Sequence, residues 1–389
     1  MARFTCRHLG RLVATALLVC SVATKDANAQ QLVARSNVLT PPDSVDQILR
    51  HFSAPVTLAL AGGRRVVFDP SQGVVTLWAP NMATPLFAQT VGGPRLGASA
   101  VALPNGNILI WGGISGNGEL VQSGEWFDPV TGQLHPAIGT GLPPMAGQQM
   151  VVLPDGNVLV AGGWQSGAST TTESAIWNPQ TASFRRLPVR VPAQWLGARS
   201  WISNAGVAVF PLDVTSAGET GALEAVYNPA LRQWSIALAT DPTLRNMTTL
   251  QVVMTRPASG SIAVPVSTRI ALLFSRPIDP ASLTAKTISF LGPGGFVPAT
   301  LAPTDGGRLI FLNPDTQLYP GSRYTGFVQG VRTPHGRVVG FTTFSFTTQT
   351  LGTASAPTLP ASPTSAVVAT GNSTPNGSAL TQRASQSAT

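Results

Sequence analysis

The feature that most constrains this chain is a period. Between residues 94 and 234, turn residues recur every 50 positions. Gly97, Gly147 and Gly197 fall in line. So do Pro104-Asn105-Gly106, Pro154-Asp155-Gly156 and the degenerate Asn204-Ala205-Gly206. Gly112-Gly113 is answered by Gly162-Gly163 and, one step upstream, by Gly62-Gly63. Phe127-Asp128-Pro129 is answered by Trp177-Asn178-Pro179 and Tyr227-Asn228-Pro229. A spacing held this strictly, with its turn residues in register, signals a repeat architecture.

Each unit reads as a four-stranded antiparallel sheet. In the second unit, the small apolar run over residues 97–103 leads into Pro104-Asn105-Gly106-Asn107, where Asn-Gly tolerates the positive φ of a tight hairpin. Residues 108–111 return as a continuously apolar strand, which implies burial on both faces. Gly112-Gly113 ends it. Glu125-Trp126-Phe127 forms the third strand, Asp128-Pro129 opens a turn, and a fourth strand fits before Pro136. A sheet of about 50 residues cannot bury enough apolar surface alone, so neighbouring units must stack.

This combination of a Leu-Pro-Asn/Asp-Gly-Asn hairpin, a Gly-Gly pair and an aromatic-Asp/Asn-Pro turn resembles the kelch repeat. The resemblance implies that each unit is one blade of a β-propeller. The upstream unit is irregular. Residues 56–61 match the second strand, with Gly62-Gly63 making the hairpin turn itself. Residues 66–70 then match the third strand, and residues 74–78 the outer one. Its first strand is missing from the expected place, and residues 32–39 could supply it or close the ring. Residues 42–52 suit a short helix capped by Asp43 or Ser44. The expectation is an all-β chain, with a kelch-type propeller of about four blades, as a small ring or an incomplete arc.

Residues 1–29 read as a signal peptide. Arg3, Arg7 and Arg11 precede an apolar core over residues 12–23, and Ala27-Asn28-Ala29 is a cleavage site. Cys20 raises a lipoprotein alternative, but Val19 is bulky for a lipobox. Further along, no apolar run is long enough to suggest a membrane span. Cys6 and Cys20 are the only cysteines, so the mature chain is expected to have neither disulfides nor a thiol nucleophile. Removing the leader leaves 20 basic against 15 acidic residues. Basic residues are scattered, without the stripe that nucleic-acid binding requires.

The period stops near residue 250. Short apolar or alternating runs at 251–254, 269–274, 287–290, 308–311, 324–328 and 342–347, separated by Gly/Pro turns, suggest a β-sandwich. The segment is similar to the bacterial Ig-like domains of surface proteins. The resemblance rests on residues 274–280, 318–324 and 344–348, with Tyr324 placed as a tyrosine corner. After Thr348 the chain becomes Ser, Thr, Ala, Pro, Asn and Gly, a composition that forms no core. The expected boundaries are 1–29 signal peptide, 30–241 propeller, 242–249 linker, 250–349 Ig-like sandwich and 350–389 disordered tail.

Connections between second and third strands are the candidate ligand face. They carry Glu119, Trp164, Gln165, Asp213 and Glu219, a tryptophan among amides and carboxylates that suits a sugar ring or a peptide. The bland alternative is solvated loop. Kelch propellers include copper oxidases resembling galactose oxidase, whose site needs a Tyr–Cys crosslink, a second Tyr and two His. Here the mature chain has no Cys, and His51, His135 and His335 are widely spaced. No nucleophile elbow or metal-spaced His pair is present either. Glu125, Glu173 and Glu224 recur at related places and read as a repeat feature. The sequence therefore points to a non-enzymatic, secreted or cell-surface (or periplasmic) module without cofactor or metal. It would present a protein or glycan ligand face, with the Ig-like domain as spacer. The alternatives are a carbohydrate-active enzyme using loop carboxylates, or the N-terminal scaffold of a larger surface or polymorphic-toxin-type protein. A continuation past Thr389 would favour the last.

Overall fold

The computed structural model describes residues 53–137, 144–165, 173–188, 200–212, 223–238 and 249–350. The leader, residues 32–39 and 42–52, and nearly all of the linker and tail lie outside them. Sheet one is β1 (Val56–Ala59), β2 (Arg65–Asp69), β3 (Val74–Trp78) and β4 (Phe87–Thr90), paired in chain order. A two-residue strand β5 (Arg95–Leu96) precedes sheet two, which comprises β6 (Ser99–Ala102), β7 (Ile108–Trp111), β9 (Gly124–Asp128) and β10 (Gln133–Ala137). Between β7 and β9, β8 (Ile114–Ser115) pairs back onto β5. Sheet three is β11 (Gln149–Val152), β12 (Val158–Ala161), β13 (Ser174–Asn178) and β14 (Ser183–Arg186). Sheet four is β15 (Trp201–Ile202), β16 (Ala208–Leu212), β17 (Leu223–Asn228) and β18 (Gln233–Leu238). The 50-residue period is thus one four-stranded antiparallel meander per unit.

The turn between first and second strands repeats atom for atom. Leu103 N–H donates to the Asn107 carbonyl at 2.7 Å and Gly106 N–H to the Leu103 carbonyl at 2.9 Å; Leu153, Gly156 and Asn157 repeat this at 2.8 and 2.8 Å. Positive φ falls on Gly106 (90°) and Gly156 (82°). Asn105 and Asp155 instead turn their side-chain oxygens to the N–H two residues on. The hairpin is therefore a three-residue type I turn with a glycine bulge, not a two-residue turn. Gly97 and Gly147 mark the stacking itself: Gly147 N–H donates to the Gly97 carbonyl at 2.7 Å, across two successive units. A Cβ on Gly97 would lie 3.1 Å from Gly147 N.

Sheet one departs from the expected register by one strand. Residues 56–59 are its first strand, not its second, and residues 74–78 its third, not its outer strand. The outer place belongs to Phe87–Thr90, exposed along its length. The reason is local. Here the aromatic-Asp-Pro turn, closed by Gly73 N–H to the Asp69 carbonyl at 2.8 Å, joins the second and third strands, whereas in sheet two its counterpart joins the third and fourth. No first strand is missing.

Between the sheets the core follows strand alternation. In β7, Ile108 and Ile110 pack with Leu58, Val66, Phe68 and Leu77 of sheet one. Leu109 and Trp111 pack the other way, with Val158, Val160 and Ala161 of sheet three. The repeated aromatics Phe127, Trp177 and Tyr227 are all buried. Removing such a side chain from water stabilises by about 1.5–3 kcal/mol, and the stack multiplies that along its length.

The Ig-like domain is a sandwich of β19 (Val252–Arg256), β20 (Ile270–Phe274), β21 (Ile288–Gly292), β22 (Gly295–Phe296), β23 (Ala299–Thr304), β24 (Leu309–Pro314), β25 (Arg323–Val328) and β26 (Thr342–Thr347). One sheet runs β19-β20-β24-β23, the other β22-β21-β25-β26. Tyr324 is buried, stacks on Phe290 and accepts a hydrogen bond from Tyr319 N–H at 2.7 Å, the expected corner.

This domain packs directly against the repeats. It docks on the first-to-second-strand turn of every repeat sheet. Gly63 comes against Ala281, and Asn313 Nδ2 donates to the Pro104 carbonyl at 2.6 Å. Arg269 Nη1 donates to the Gly156 carbonyl at 2.5 Å. Arg308 donates to the Ile202 carbonyl at 2.5 Å and to Asn204 Oδ1 at 2.7 Å. Ala271, Leu273, Leu309 and Phe311 join the core cluster of sheets two to four. Residues 303–307 reach further in, and with the first strands of sheets one to three and Ser200, just before β15, they line a cavity of about 40 Å³.

Candidate functional site

An antiparallel meander alternates its connections between two ends, so Glu119, Trp164 and Gln165 lie at the end of the sheets away from the docked domain. Glu119 is exposed on the short hairpin after β8, where Ser115 N–H donates to its carbonyl at 2.8 Å and its own N–H to Ser115 Oγ at 3.3 Å. Trp164 and Gln165 are half-buried. Trp164 exchanges backbone hydrogen bonds with Ala146 at 2.7 and 3.0 Å, as Ile114 pairs with Leu96 one repeat earlier. Trp164 thus occupies a repeat position filled in sheet two by a buried isoleucine, and its indole Nε1 is buried without a hydrogen-bond partner. Asp213 and Glu219 lie outside the described residues.

The recurring glutamates each find a structural place. Glu125 on β9 pairs with Arg95, whose guanidinium also donates to the Gly112 carbonyl at 3.2 Å and the Ser123 carbonyl at 2.5 Å. Burial pushes the Glu125 carboxyl up and the Arg95 guanidinium down, each opposed by the partner's charge. Arg95 ties the entry of the unit to its third strand. Glu173 reaches the same kind of pairing differently, with Arg186 on β14. Glu224 on β17 is buried.

Glu224 also lines a cleft that sequence reasoning missed. Ala208 and Phe210 of β16 face the inter-sheet core. Alternation puts Val209 and Pro211 on the opposite face, with Trp201 directly across from Val209 and Glu224 directly across from Pro211. That face of sheet four and the Ig-like domain bound a cleft of about 830 Å³. The Ig-like side supplies Arg276 after β20, Arg308 before β24, and His335 and Arg337 between β25 and β26. Asp305 lies in the wall. Its Oδ1 accepts from Ile202 N–H at 3.2 Å and its Oδ2 stands 3.9 Å from Arg308 Nη1. Among the described residues, no three His, Cys, Asp or Glu side chains cluster as metal ligands would.

Residues 246–348 match a family profile described as a bacterial Ig-like domain. No curated protein sequence matches the chain. Among solved structures, 26% of the chain aligns with 14% of the surface-layer protein SbsC, domains 1–6, at 21% identity and a TM-score of 0.22. The chain therefore spans about a seventh of that structure. A fungal alcohol oxidase in complex with copper aligns over 76% of this chain and 85% of its own, at 12% identity and a TM-score of 0.33. A structure of YjhT aligns over 75% and 93%, at 13% identity and a TM-score of 0.36.

Proposed function

We propose that the chain is a non-enzymatic, exported surface module. Its four repeat sheets form a small kelch-type propeller, the Ig-like domain braces one end of that propeller, and the other end presents a ligand face carrying Glu119, Trp164 and Gln165, with Asp213 and Glu219 on the same connections. The domain limits proposed are residues 30–241 for the repeats and 250–349 for the sandwich, after a leader over 1–29 and before a tail over 350–389. The observation that carries the reading is the fate of the repeat carboxylates: Glu125 and Glu173 are ion-paired into the architecture, so the most regular acidic residues hold strands together. The bacterial Ig-like match supports a place at the surface. The chain's only cysteines, Cys6 and Cys20, fall in the leader, which supports a mature module without thiol chemistry or a Tyr–Cys radical site.

Labelling of intact cells by an impermeant amine or carboxyl reagent tests export; a protein labelled only after lysis contradicts it. The ligand face is tested with Trp164→Ala on a glycan and peptide array. Binding is expected to be lost while the chain still folds cooperatively, at a lowered unfolding midpoint because the indole is half-buried. Binding that survives removes Trp164 from the face. Turnover of any glycan that disappears in Glu119→Gln would replace this reading with the enzymatic one.

A further inference from the structure

We infer that the outer face of the sandwich sheet β22-β21-β25-β26 is a binding platform for a flat, neutral polysaccharide, separate from the loop face. The other sandwich sheet is covered on both faces. Its strand β20 is buried throughout, with Ile270, Leu272 and Phe274 in the sandwich core and Ala271 and Leu273 in the core shared with the repeats. The second sheet turns only Phe290, Tyr324, Phe346 and their neighbours into the sandwich core, so the residues between them point outward. Register fixes what that outer face carries. Phe296 lies directly across from Leu291, Leu291 from Thr325 and Thr325 from Ser345. In the next row, Ser289 lies across from Phe327 and Phe327 from Thr343. The Phe341 ring adds to it, 6.3 Å from the Phe327 ring between centroids and inclined to it by 30°. Apolar side chains and hydroxyls thus alternate over the face.

Area, charge and hydroxyl chemistry select the ligand. With about 200 Å² per large side chain, the 38%, 52% and 65% exposures of Leu291, Phe296 and Phe341 amount to roughly 300 Å². A stable protein partner, a second copy included, covers about 800 Å² per side, so the patch is too small for one. The outward strand positions carry a single charge, Arg323 at the corner, whose Nη2 donates to Ser345 Oγ at 3.3 Å. One guanidinium is no basic surface for a polyanion, and the absence of a carboxylate from these positions leaves nothing to hold a cation; the complement is a neutral polymer. Among the described residues, none hydrogen-bonds to the hydroxyls of Ser289, Thr325 or Thr343. Each can donate and accept, as a sugar hydroxyl does. A pyranose supplies the other half of the match, an apolar C–H face that sits on an aromatic ring. An extended, flat hexose chain repeats that face along its length, as the sheet repeats its rings.

Calorimetric titration of the full chain with cellohexaose, maltohexaose and a galacturonic acid hexamer tests this. Cellohexaose, flat and neutral, is expected to bind saturably, at least about tenfold tighter than the coiled maltohexaose or the charged hexamer, with an affinity indifferent to salt. Phe341→Ala and Phe296→Ala should each weaken cellohexaose at least about fivefold and leave the melting temperature unchanged, because both rings are exposed. Trp164→Ala should leave this binding unchanged, which separates the platform from the loop face. No binding at millimolar cellohexaose, equal affinity for maltohexaose, tighter binding of the charged hexamer, affinity unchanged in both phenylalanine variants, or loss of binding in Trp164→Ala would each overturn the inference. So would sedimentation that finds a dimer dissociated by Phe341→Ala, since the face would then belong to a second copy.

Discussion

Gly106 and Gly156 sit in the same turn of successive repeats, with φ of 90° and 82°. They differ in what lies outside the turn. A Cβ on Gly106 would meet open space, whereas one on Gly156 would lie 2.5 Å from Arg269 Cδ and within contact of its guanidinium. An L-residue in the left-handed region costs about 1–2 kcal/mol, so that is the expected penalty of Gly106→Ala. Gly156→Ala carries the same strain and also displaces Arg269 from the Gly156 carbonyl. A charge-assisted bond contributes about 1.5–3 kcal/mol, giving about 2.5–5 kcal/mol in total. Any gain from stiffening the unfolded chain is common to both and cancels. Urea unfolding followed by tryptophan fluorescence is well placed to read this, because all eight tryptophans lie at or before Trp234 while Arg269 belongs to the Ig-like domain. In an Arg269→Ala background, the Gly156→Ala penalty should fall to that of Gly106→Ala. Equal penalties for the two glycines in the parent chain would refute the docked arrangement, as would a tryptophan signal indifferent to Arg269→Ala.

Arg95→Ala should destabilise by about 3–5 kcal/mol, because it leaves the Glu125 carboxylate half-buried opposite nothing and strips donors from the Gly112 and Ser123 carbonyls; urea midpoints check it, and a loss below about 1 kcal/mol would mark the pair as superficial. Tyr227→Phe should be neutral or stabilising by about 1 kcal/mol: the hydroxyl is buried without a hydrogen-bond partner, burial pushes its pKa up, and the ring contact with Trp234 stays. A marked fall in melting temperature would show that the hydroxyl has a partner after all.

The repeats were legible because their turns are chemically specific. Pro-Asn-Gly and Pro-Asp-Gly dictate one hairpin, and the aromatic before Asx-Pro dictates which residue points into the stack. The same logic slipped in sheet one, where Asp69-Pro70 makes the expected turn between a different pair of strands. A turn motif fixes local geometry but carries no label for its place in the sheet. In the sandwich, the strands with apolar runs were visible. β23 was not, since residues 299–304 mix Ala, Thr and Pro around a single Leu, and it is one of the strands turned toward the repeats. Docking itself left little trace, because its donors are single residues such as Arg269, Arg308 and Asn313, each an ordinary polar side chain until paired with a turn carbonyl. The cleft inherits that difficulty: its lining comes from both sides of a boundary that reads as a linker.

The four-point seating of the sandwich has a consequence for how such a chain can change. Tandem arrays usually lengthen or shorten by unequal recombination, one copy at a time. Here Ala281, Asn313, Arg269 and Arg308 each receive one particular copy, and the seats fall at irregular places along the sandwich sequence. A duplicated copy would find no place to sit, and a deleted one would leave an arginine or an asparagine over a void. The copy number is therefore locked by the partner domain, and variation is channelled to the connections at the far end.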